Sequence, residues 1–536
     1  MKKRFNSTGL CVPDRHYMVD LQERVEEIRE LVDEGDYFTI NRARQYGKTT
    51  TLNALAKRLS EDYLVVSLDF QAFDTAKFAD ANVFSLAFAE CFLQELESGE
   101  KYCSDELHTL QESLKQVVLD RKKDFTLYEL FRYLTAICDN VSKPVVLLID
   151  EADSALNNQV FLDFLGQLRL CYLDRDKKGI AAFQSVILAG VYDVKNMKRK
   201  ISSSQIHSTN SPWNIAADFD INMSFTKSEI AGMLQEYERD TQTGMNIEEM
   251  AELLYDYTSG YPFLVSRLCK LMDEKVSNLA EYGDKAAAWT KRGFLEAERM
   301  ILIEKNTLFE SLVGKLTDYT ELNTMLYALL FTGKSIVYNA DNQAIDIAAM
   351  FGFIKNQDGV VAIANRIFET RLYNFYLSTS QMRDTDIYTA SLQDKSQFIK
   401  NGQLDMRRIL EKFALHFNEL YADRTESFVE DEGRKYFLLY LKPIINGTGN
   451  YYIESRTRSM GRTDVIVDYR GVQYIIEMKI WRGQEYKERG ERQLVGYLDD
   501  YHTDIGYMVS FNFNRNKQVG VKEITVDGKR LIEAII

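Results

Sequence analysis

Tyr37-Phe38-Thr39-Ile40-Asn41 runs directly into Arg42-Ala43-Arg44-Gln45-Tyr46-Gly47-Lys48-Thr49-Thr50, and Leu52-Asn53-Ala54-Leu55-Ala56-Lys57-Arg58-Leu59 follows. The first run reads as a strand and the last as a helix. Between them lies a loop ending in Gly-Lys-Thr. Gly47 lets the backbone approach a ligand closely. Backbone N–H groups at a helix start and the Lys48 ammonium then face it together. Strand, loop and helix in this order make a phosphate cradle and predict an α/β parallel sheet.

The loop resembles a Walker A sequence, G-x-x-x-x-G-K-[ST], with one departure: Arg42 stands where the first glycine is expected. Lys48 is expected to neutralise β- and γ-phosphate charge, and Thr49 to bind Mg²⁺. Arg44, Gln45, Tyr46, Gly47 and Thr50 complete the expected nucleotide contacts. Arg42 and Arg44 either add phosphate contacts or reshape the loop. Further on, Val145-Val146-Leu147-Leu148-Ile149-Asp150-Glu151 has the Walker B form, an apolar strand ending in two acids. Asp150 would hold the metal and Glu151 would polarise water, which argues for hydrolysis. Arg267, in Thr258-Ser259-Gly260-Tyr261-Pro262-Phe263-Leu264-Val265-Ser266-Arg267, is either a lid arginine facing the γ-phosphate or a surface arginine. Asp193 is a nucleotide sensor or a helix cap. The segment Cys11–Tyr17 would cover the base, with His16 equally a surface histidine.

Working outward, Leu64–Asp69, Val145–Asp150 and Ser185–Gly190 read as further strands, the second buried on both faces. Asp220–Phe225 reads as a fifth. Residues 1–226 therefore form a nucleotide-binding core. Residues 227–380 are mainly helical and form a lid. Within it, helix 344–351 and a hairpin around Asn356-Gln357-Asp358-Gly359 have the wing pattern of a winged-helix region, which helical lids also carry. The polar stretch 381–404 reads as a linker, and 405–536 as a final domain opening with helices at 405–421 and 426–441.

The chain has 536 residues, too many for one core. Its net charge of −14 does not suit a globally basic nucleic-acid binder. The excess acid lies in the first 400 residues, since 401–536 carry as many basic as acidic side chains. Nucleic acid would have to meet local basic patches. Six scattered cysteines without Cys-x-x-Cys spacing suit a reducing cytosol. No run is apolar enough to span a membrane, and the N-terminus lacks a signal-peptide pattern, so a cytoplasmic protein is expected.

The last domain contains a second constellation. Gly461-Arg462-Thr463-Asp464-Val465-Ile466-Val467-Asp468-Tyr469 and Val472-Gln473-Tyr474-Ile475-Ile476-Glu477-Met478-Lys479-Ile480 flank Arg470-Gly471. A two-residue hairpin loop pairs Tyr469 with Val472, and counting back sets Asp464 opposite Glu477. Opposed residues share a face with Cβ atoms roughly 5 Å apart, and Lys479 joins them. Val465, Val467, Tyr469, Val472, Tyr474, Ile476, Met478 and Ile480 make the other, core face. Two carboxylates and a lysine at one point suit a hard divalent cation and phosphodiester chemistry. The bland alternative is a cross-strand ion pair.

Phe5-Asn6-Ser7-Thr8-Gly9-Leu10-Cys11-Val12-Pro13 and the Asn-Arg-Ala-Arg-Gln-Tyr-Gly-Lys-Thr-Thr loop together resemble the bacterial AAA-ATPase-like family, related to archaeal-type and STAND-like P-loop ATPases. The resemblance extends over most of the chain, above all 1–270 and 426–515. It implies ATP binding by a P-loop NTPase sheet with a helical lid, and a C-terminal α/β domain resembling the PD-(D/E)XK restriction-endonuclease-like superfamily. In that superfamily the Asp and the Glu of Glu-x-Lys bind Mg²⁺ or Mn²⁺, and the lysine supports the attacking water; Asp464, Glu477 and Lys479 match. An acidic residue on the preceding helix usually adds a ligand. Glu432 is chosen over Glu430, because it lies on the stripe of Phe428, Val429, Tyr436 and Leu439. Gln493 and Tyr497 match the Gln-x-x-x-Tyr that often follows. Arg462 would steer a phosphate. The implied partners are ATP and nucleic acid, DNA before RNA. An arginine finger supplied in trans would require a homo-oligomer. The alternative reading is a STAND-like switch whose last domain binds without cleaving.

Overall fold

The computed structural model describes residues 3–99, 105–191, 212–331, 335–393, 397–421, 428, 430–445, 449–452, 465–481, 483–501, 503–514 and 517–536. Asp193, Arg462 and Asp464 lie outside the described residues. The chain divides into two compact units. One comprises Met1–Met233, Tyr261–Ser266 and Met350–Gly352; the other comprises Leu234–Gly260, Arg267–Ala349 and Phe353–Ile536.

In the first unit, β1 (Arg4–Phe5) pairs in parallel with β2 (His16–Tyr17). Four longer strands follow: β3 (Phe38–Asn41), β4 (Leu64–Asp69), β5 (Val145–Asp150) and β6 (Ser185–Gly190). They form one all-parallel sheet in the order β3-β6-β5-β4. Phe84, Phe88, Phe92, Phe161 and Phe164, from helices Ala81–Gly99 and Gln159–Lys178, pack with Leu64, Val66, Leu147 and Leu188 on one face. Helix Lys48–Leu59 contacts β4, β5 and β6. Because helices cover the sheet on both sides, Val145 through Ile149 are all buried, as their unbroken apolar run requires.

The expected fifth strand at 220–225 does not form. The chain meets β3 at one parallel bridge, Phe38 to Ala217. Beyond it, arginine side chains take the carbonyls that a strand ladder would use. Arg42 Nη2 donates to the carbonyls of Phe219 (3.2 Å) and Ile221 (2.9 Å). Arg24 Nε donates to that of Asn222 (3.1 Å), and its Nη2 to that of Ser224 (3.3 Å).

The second unit contains the helices Ile247–Thr258, Lys291–Ile303, Thr307–Asp318, Thr320–Phe331 and Arg366–Leu377. The hairpin expected after residue 351 is present as β7 (Ile354–Gln357) and β8 (Val360–Ile363). Its two turn residues, Asp358 and Gly359, both have positive φ, the twist-compatible choice for a two-residue loop.

The stretch expected as a linker, 381–404, contains regular elements among its described residues. It holds helix Asp386–Gln393 and the small hairpin of β9 (Ile399–Lys400) and β10 (Gln403–Leu404). That helix packs on helices Met406–Tyr421 and Glu430–Ile445, with Ile387 and Phe398 fully buried. Polar composition alone is misleading here, because two apolar anchors suffice to dock a short segment.

The C-terminal sheet comprises β11 (Gly449–Tyr452), β12 (Val465–Tyr469), β13 (Val472–Ile480), β14 (Ile505–Phe511), β15 (Gly520–Val526) and β16 (Lys529–Ile535). Their order is β11-β12-β13-β14-β16-β15. β11, β12 and β13 form an antiparallel meander, and β13, β14 and β16 run parallel. Helix Gln484–Asp500 makes the crossover from β13 to β14. Leu494, Val495, Tyr497 and Leu498 of that helix pack on Ile475, Met508 and Leu531.

Candidate functional site

The phosphate loop is built as its sequence demands. Gln45 and Gly47 take positive φ (59° and 81°), and Gly47 begins the helix from a left-handed conformation that a side chain would strain. Lys48 is buried and donates Nζ to the carbonyls of Arg42 (2.9 Å) and Ala43 (3.1 Å), which holds its ammonium across the loop. Burial lowers its pKa, opposed by the carboxylates of Glu151, Asp153 and Asp150. Thr49 Oγ1 donates to Asp150 Oδ2 at 2.7 Å, although 101 positions separate them. The Thr50 hydroxyl accepts from the Cys11 N–H at 3.2 Å, so the 4–17 segment docks on the helix start.

Acidic groups gather at the carboxyl ends of the central strands. Asp69 of β4 pairs in register with Asp150 of β5, and Glu151 follows in a left-handed conformation. The Glu151 N–H donates to Asp150 Oδ1 at 2.9 Å. Burial raises the Glu151 pKa; Asp153 adds to the shift, and Lys48 opposes it. A hydroxyl and a carboxylate oxygen in contact, facing a lysine, are suitable donors for a magnesium ion that retains most of its waters. The carboxyl ends of parallel strands are where open α/β sheets bind ligands.

Two of the expected nucleotide residues are engaged within the protein. Besides Phe219 and Ile221, Arg42 donates to the Asn41 carbonyl (3.0 Å), and its guanidinium lies 5.1 Å from the Phe219 ring centre. Of the two roles left open for it, shaping the loop and its surroundings is the one observed. Arg267 is clasped by Glu304 through Nε (3.0 Å) and Nη2, so a carboxylate already occupies its fork. Tyr46 turns its hydroxyl to Ser224 Oγ (2.8 Å) and its ring to Tyr261 (4.6 Å between centroids). No local pattern marks Tyr261, whose hydroxyl donates to the Arg44 carbonyl at 2.6 Å from 217 positions away.

In the C-terminal sheet, Tyr469 pairs with Val472 and Val465 with Ile476, the register read from the sequence. The turn residues Arg470 and Gly471 both have positive φ. Asp464, read from the sequence as opposite Glu477, lies outside the described residues. Glu477 is fully buried, and Lys479 Nζ stands 2.8 Å from its Oε1. The Lys479 stem passes under Gly490 of the crossover helix. Gln493 Nε2 donates to the Tyr497 hydroxyl at 2.7 Å. Glu430 accepts from the Ile480 N–H at the end of β13 at 3.4 Å, and the expected Glu432 lies two residues on in the same helix. Val472, expected in the core, is 40% exposed at the hairpin tip.

Sequence reasoning missed the polar layer beside this pair. Ser510 is the register partner of Lys479 on β14. It donates to the buried Glu533 (2.8 Å), and Lys487 (3.0 Å) and Lys522 (3.1 Å) converge on the same carboxylate. These residues lie in three strands and a helix, so no local motif marks them. Among the described residues, no group of three or more His, Cys, Asp or Glu side chains is placed to hold a metal.

Among curated proteins, no sequence matches the chain. Solved structures give matches at low similarity. The Walker-type ATPase PABY2304 of Pyrococcus abyssi is 14% identical with a TM-score of 0.43, covering 69% of this chain and 99% of that one. The ORC2 protein of Aeropyrum pernix, solved as ADPNP–ADP complexes, is 12% identical with a TM-score of 0.37, covering 70% and 99%. The ORC1 protein of Aeropyrum pernix, solved in complex with DNA, is 11% identical with a TM-score of 0.29, covering 67% and 93%. A family model described as an AAA-like domain matches residues 14–376, taking in the phosphate loop, the acidic strand end and the helices beyond them. The chain therefore belongs to the AAA-like domain family, and its nucleotide unit is ATPase-like.

Proposed function

We propose that the chain binds ATP with Mg²⁺ at residues 42–50 and hydrolyses it, and that the nucleotide cycle governs a C-terminal phosphodiesterase acting on nucleic acid, DNA before RNA. The observation carrying the ATPase half is the 2.7 Å contact between Thr49 and Asp150, with Glu151 next in sequence. Lys48 and the N–H groups of the helix start would hold the β- and γ-phosphates. Magnesium, held by Thr49 and Asp150, would supply charge neutralisation on those phosphates. Glu151 would orient water for in-line attack; its neighbours Asp69 and Asp153 keep the region acidic. Gly47, Gln45, Tyr46 and Arg44 shape the loop.

The phosphodiesterase half rests on Glu477 and Lys479 meeting at 2.8 Å on β13, with Asp464 set opposite Glu477 by the sequence reading alone. Mg²⁺ or Mn²⁺ on Asp464 and Glu477, with Glu430 or Glu432 nearby, would activate water and neutralise the phosphate. Lys479 would bear on the same phosphate, and Gln493 would orient it. One observation favours a second reading, a nucleotide-dependent switch whose last domain binds nucleic acid or a protein without cleaving. The Glu477 carboxylate is fully buried and already neutralised by Lys479. No helix among the described residues is long and apolar enough to cross a membrane.

A plasmid-nicking assay with Mg²⁺ or Mn²⁺, with and without ATP, separates these readings. Cleavage by the wild-type protein, abolished in Lys479→Ala and by chelation, supports the phosphodiesterase. Nucleic-acid binding without cleavage under every condition supports the switch.

A further inference from the structure

The phosphate loop is gripped by residues far from it in sequence. The Tyr261 hydroxyl donates to the Arg44 carbonyl at 2.6 Å, and the Tyr261 ring meets Tyr46 edge-on at 4.6 Å. Gly352, at φ +71°, comes so close that a Cβ there would stand 2.9 Å from Ala43 Cβ and 3.5 Å from the Tyr261 ring. Three residues of the loop, Ala43, Arg44 and Tyr46, are thus contacted by two short segments, Tyr261–Ser266 and Met350–Gly352. Both segments belong to the nucleotide unit although the chain on either side of each does not. Within the same backbone, Lys48 Nζ holds the carbonyls of Arg42 and Ala43. Consecutive carbonyls, 42, 43 and 44, are therefore held by two agents: the first two by the lysine that would bind phosphate, the third by Tyr261.

We propose that Tyr261 is a positioning residue for the phosphate loop, so that nucleotide binding and the seating of Tyr261 and Gly352 on the loop are one linked equilibrium. The inference rests on the ATP-binding reading above. A phosphate that draws on the Lys48 ammonium competes with the carbonyls of 42 and 43. The loop keeps its shape during that exchange because Tyr261 retains the neighbouring carbonyl. Linkage makes the effect reciprocal: whatever loosens Tyr261 weakens nucleotide binding, and nucleotide tightens Tyr261. Tyr261 is almost fully buried, and its hydroxyl has the Arg44 carbonyl as acceptor, so removing it leaves that carbonyl short of a donor.

The test compares wild type, Tyr261→Phe, Gly352→Ala and Lys48→Ala. Affinity is read with a fluorescent ATP analogue, turnover as kcat and KM, and amide hydrogen exchange at 261–266 with and without nucleotide. Tyr261→Phe keeps the ring and loses only the donor. It is expected to raise Kd and KM about five- to tenfold with kcat within about twofold. Nucleotide is expected to slow exchange at 261–266 in wild type and to do so less in the variant. Gly352→Ala, which keeps the Tyr261 hydroxyl, is expected to weaken binding in the same direction by pressing on Ala43 and on the Tyr261 ring. Unchanged Kd and KM in Tyr261→Phe, or exchange at 261–266 that ignores nucleotide, overturns the proposal. If either of those results comes with ATP binding by wild type and none by Lys48→Ala, the ATP reading stands and only the Tyr261 inference falls. If wild type binds no ATP, the ATP reading falls and takes this inference with it.

Discussion

At the scale of single residues, Arg42 shows how a motif position can change its job. A glycine would leave the loop entrance free. Arginine instead spans from the loop to the carbonyls of Asn41, Phe219 and Ile221 and stacks on Phe219. Burial lowers its pKa only against a very high starting value, so it stays cationic, and its charge-assisted bonds stabilise the segment beside β3. Arg42→Ala removes those bonds and leaves buried carbonyls short of donors, a loss of about 1.5–3 kcal/mol per bond at most. The expected result is a lower melting temperature with or without ATP. ATP affinity should change far less than in Lys48→Ala. An affinity loss equal to that of Lys48→Ala, at unchanged stability, would return Arg42 to the phosphate.

At the scale of elements, the β12–β13 hairpin turn carries a buried acid with a consequence for stability. Asp468 Oδ1 accepts from the Gly471 N–H (3.3 Å), while Oδ2 is buried without a hydrogen-bond donor. Burial pushes its pKa up to about 6; Lys291, on helix Lys291–Ile303, opposes the shift and Glu296 adds to it. An unfolded aspartate titrates near 3.9. Above pH 6 both states are ionised and the folded protein carries the full burial penalty. As pH falls through about 6 the native state takes up a proton and the penalty disappears. Asp468→Asn should therefore melt higher than wild type at about pH 8, with the gap closing toward about pH 5. A gap independent of pH would show that Asp468 is not the titrating group.

The same scale shows what the sequence could disclose. Leu64–Asp69, Val145–Asp150 and Ser185–Gly190 have the bounds read from their apolar runs, because strands covered on both faces leave an unbroken signal. The hairpin register was legible from Arg470-Gly471 alone, since a two-residue loop fixes every pair behind it. Residues 220–225 alternate like a strand, yet the partners of their carbonyls, Arg24 and Arg42, lie about 180–200 positions away, which no local pattern reveals. Glu430 and Glu432 are two residues apart on one helix, and the bond from the Ile480 N–H to Glu430 is a tertiary contact that the helix stripe does not disclose. Thr49, Asp150 and Glu151 were legible as types in order; Tyr261, Ser510 and Glu533 were not, because their roles come from tertiary contacts.

At the scale of the whole molecule, the chain joins an ATPase-like unit of the AAA-like domain family to a mixed C-terminal sheet with its own buried Glu–Lys pair. Net charge is −14, so any nucleic acid must be met by local groups, and conditional access under nucleotide control suits such a surface. Everything downstream depends on the phosphate loop being a working ATP site. The most direct measurement is Mg²⁺-dependent ATP binding and steady-state hydrolysis by wild type, Lys48→Ala and Glu151→Gln in parallel. The account predicts binding and turnover by wild type and a loss of affinity of about tenfold or more in Lys48→Ala. Glu151→Gln should retain binding with hydrolysis reduced about 10²-fold or more. Wild-type protein that binds no ATP, or Glu151→Gln that hydrolyses it at the wild-type rate, would contradict the account.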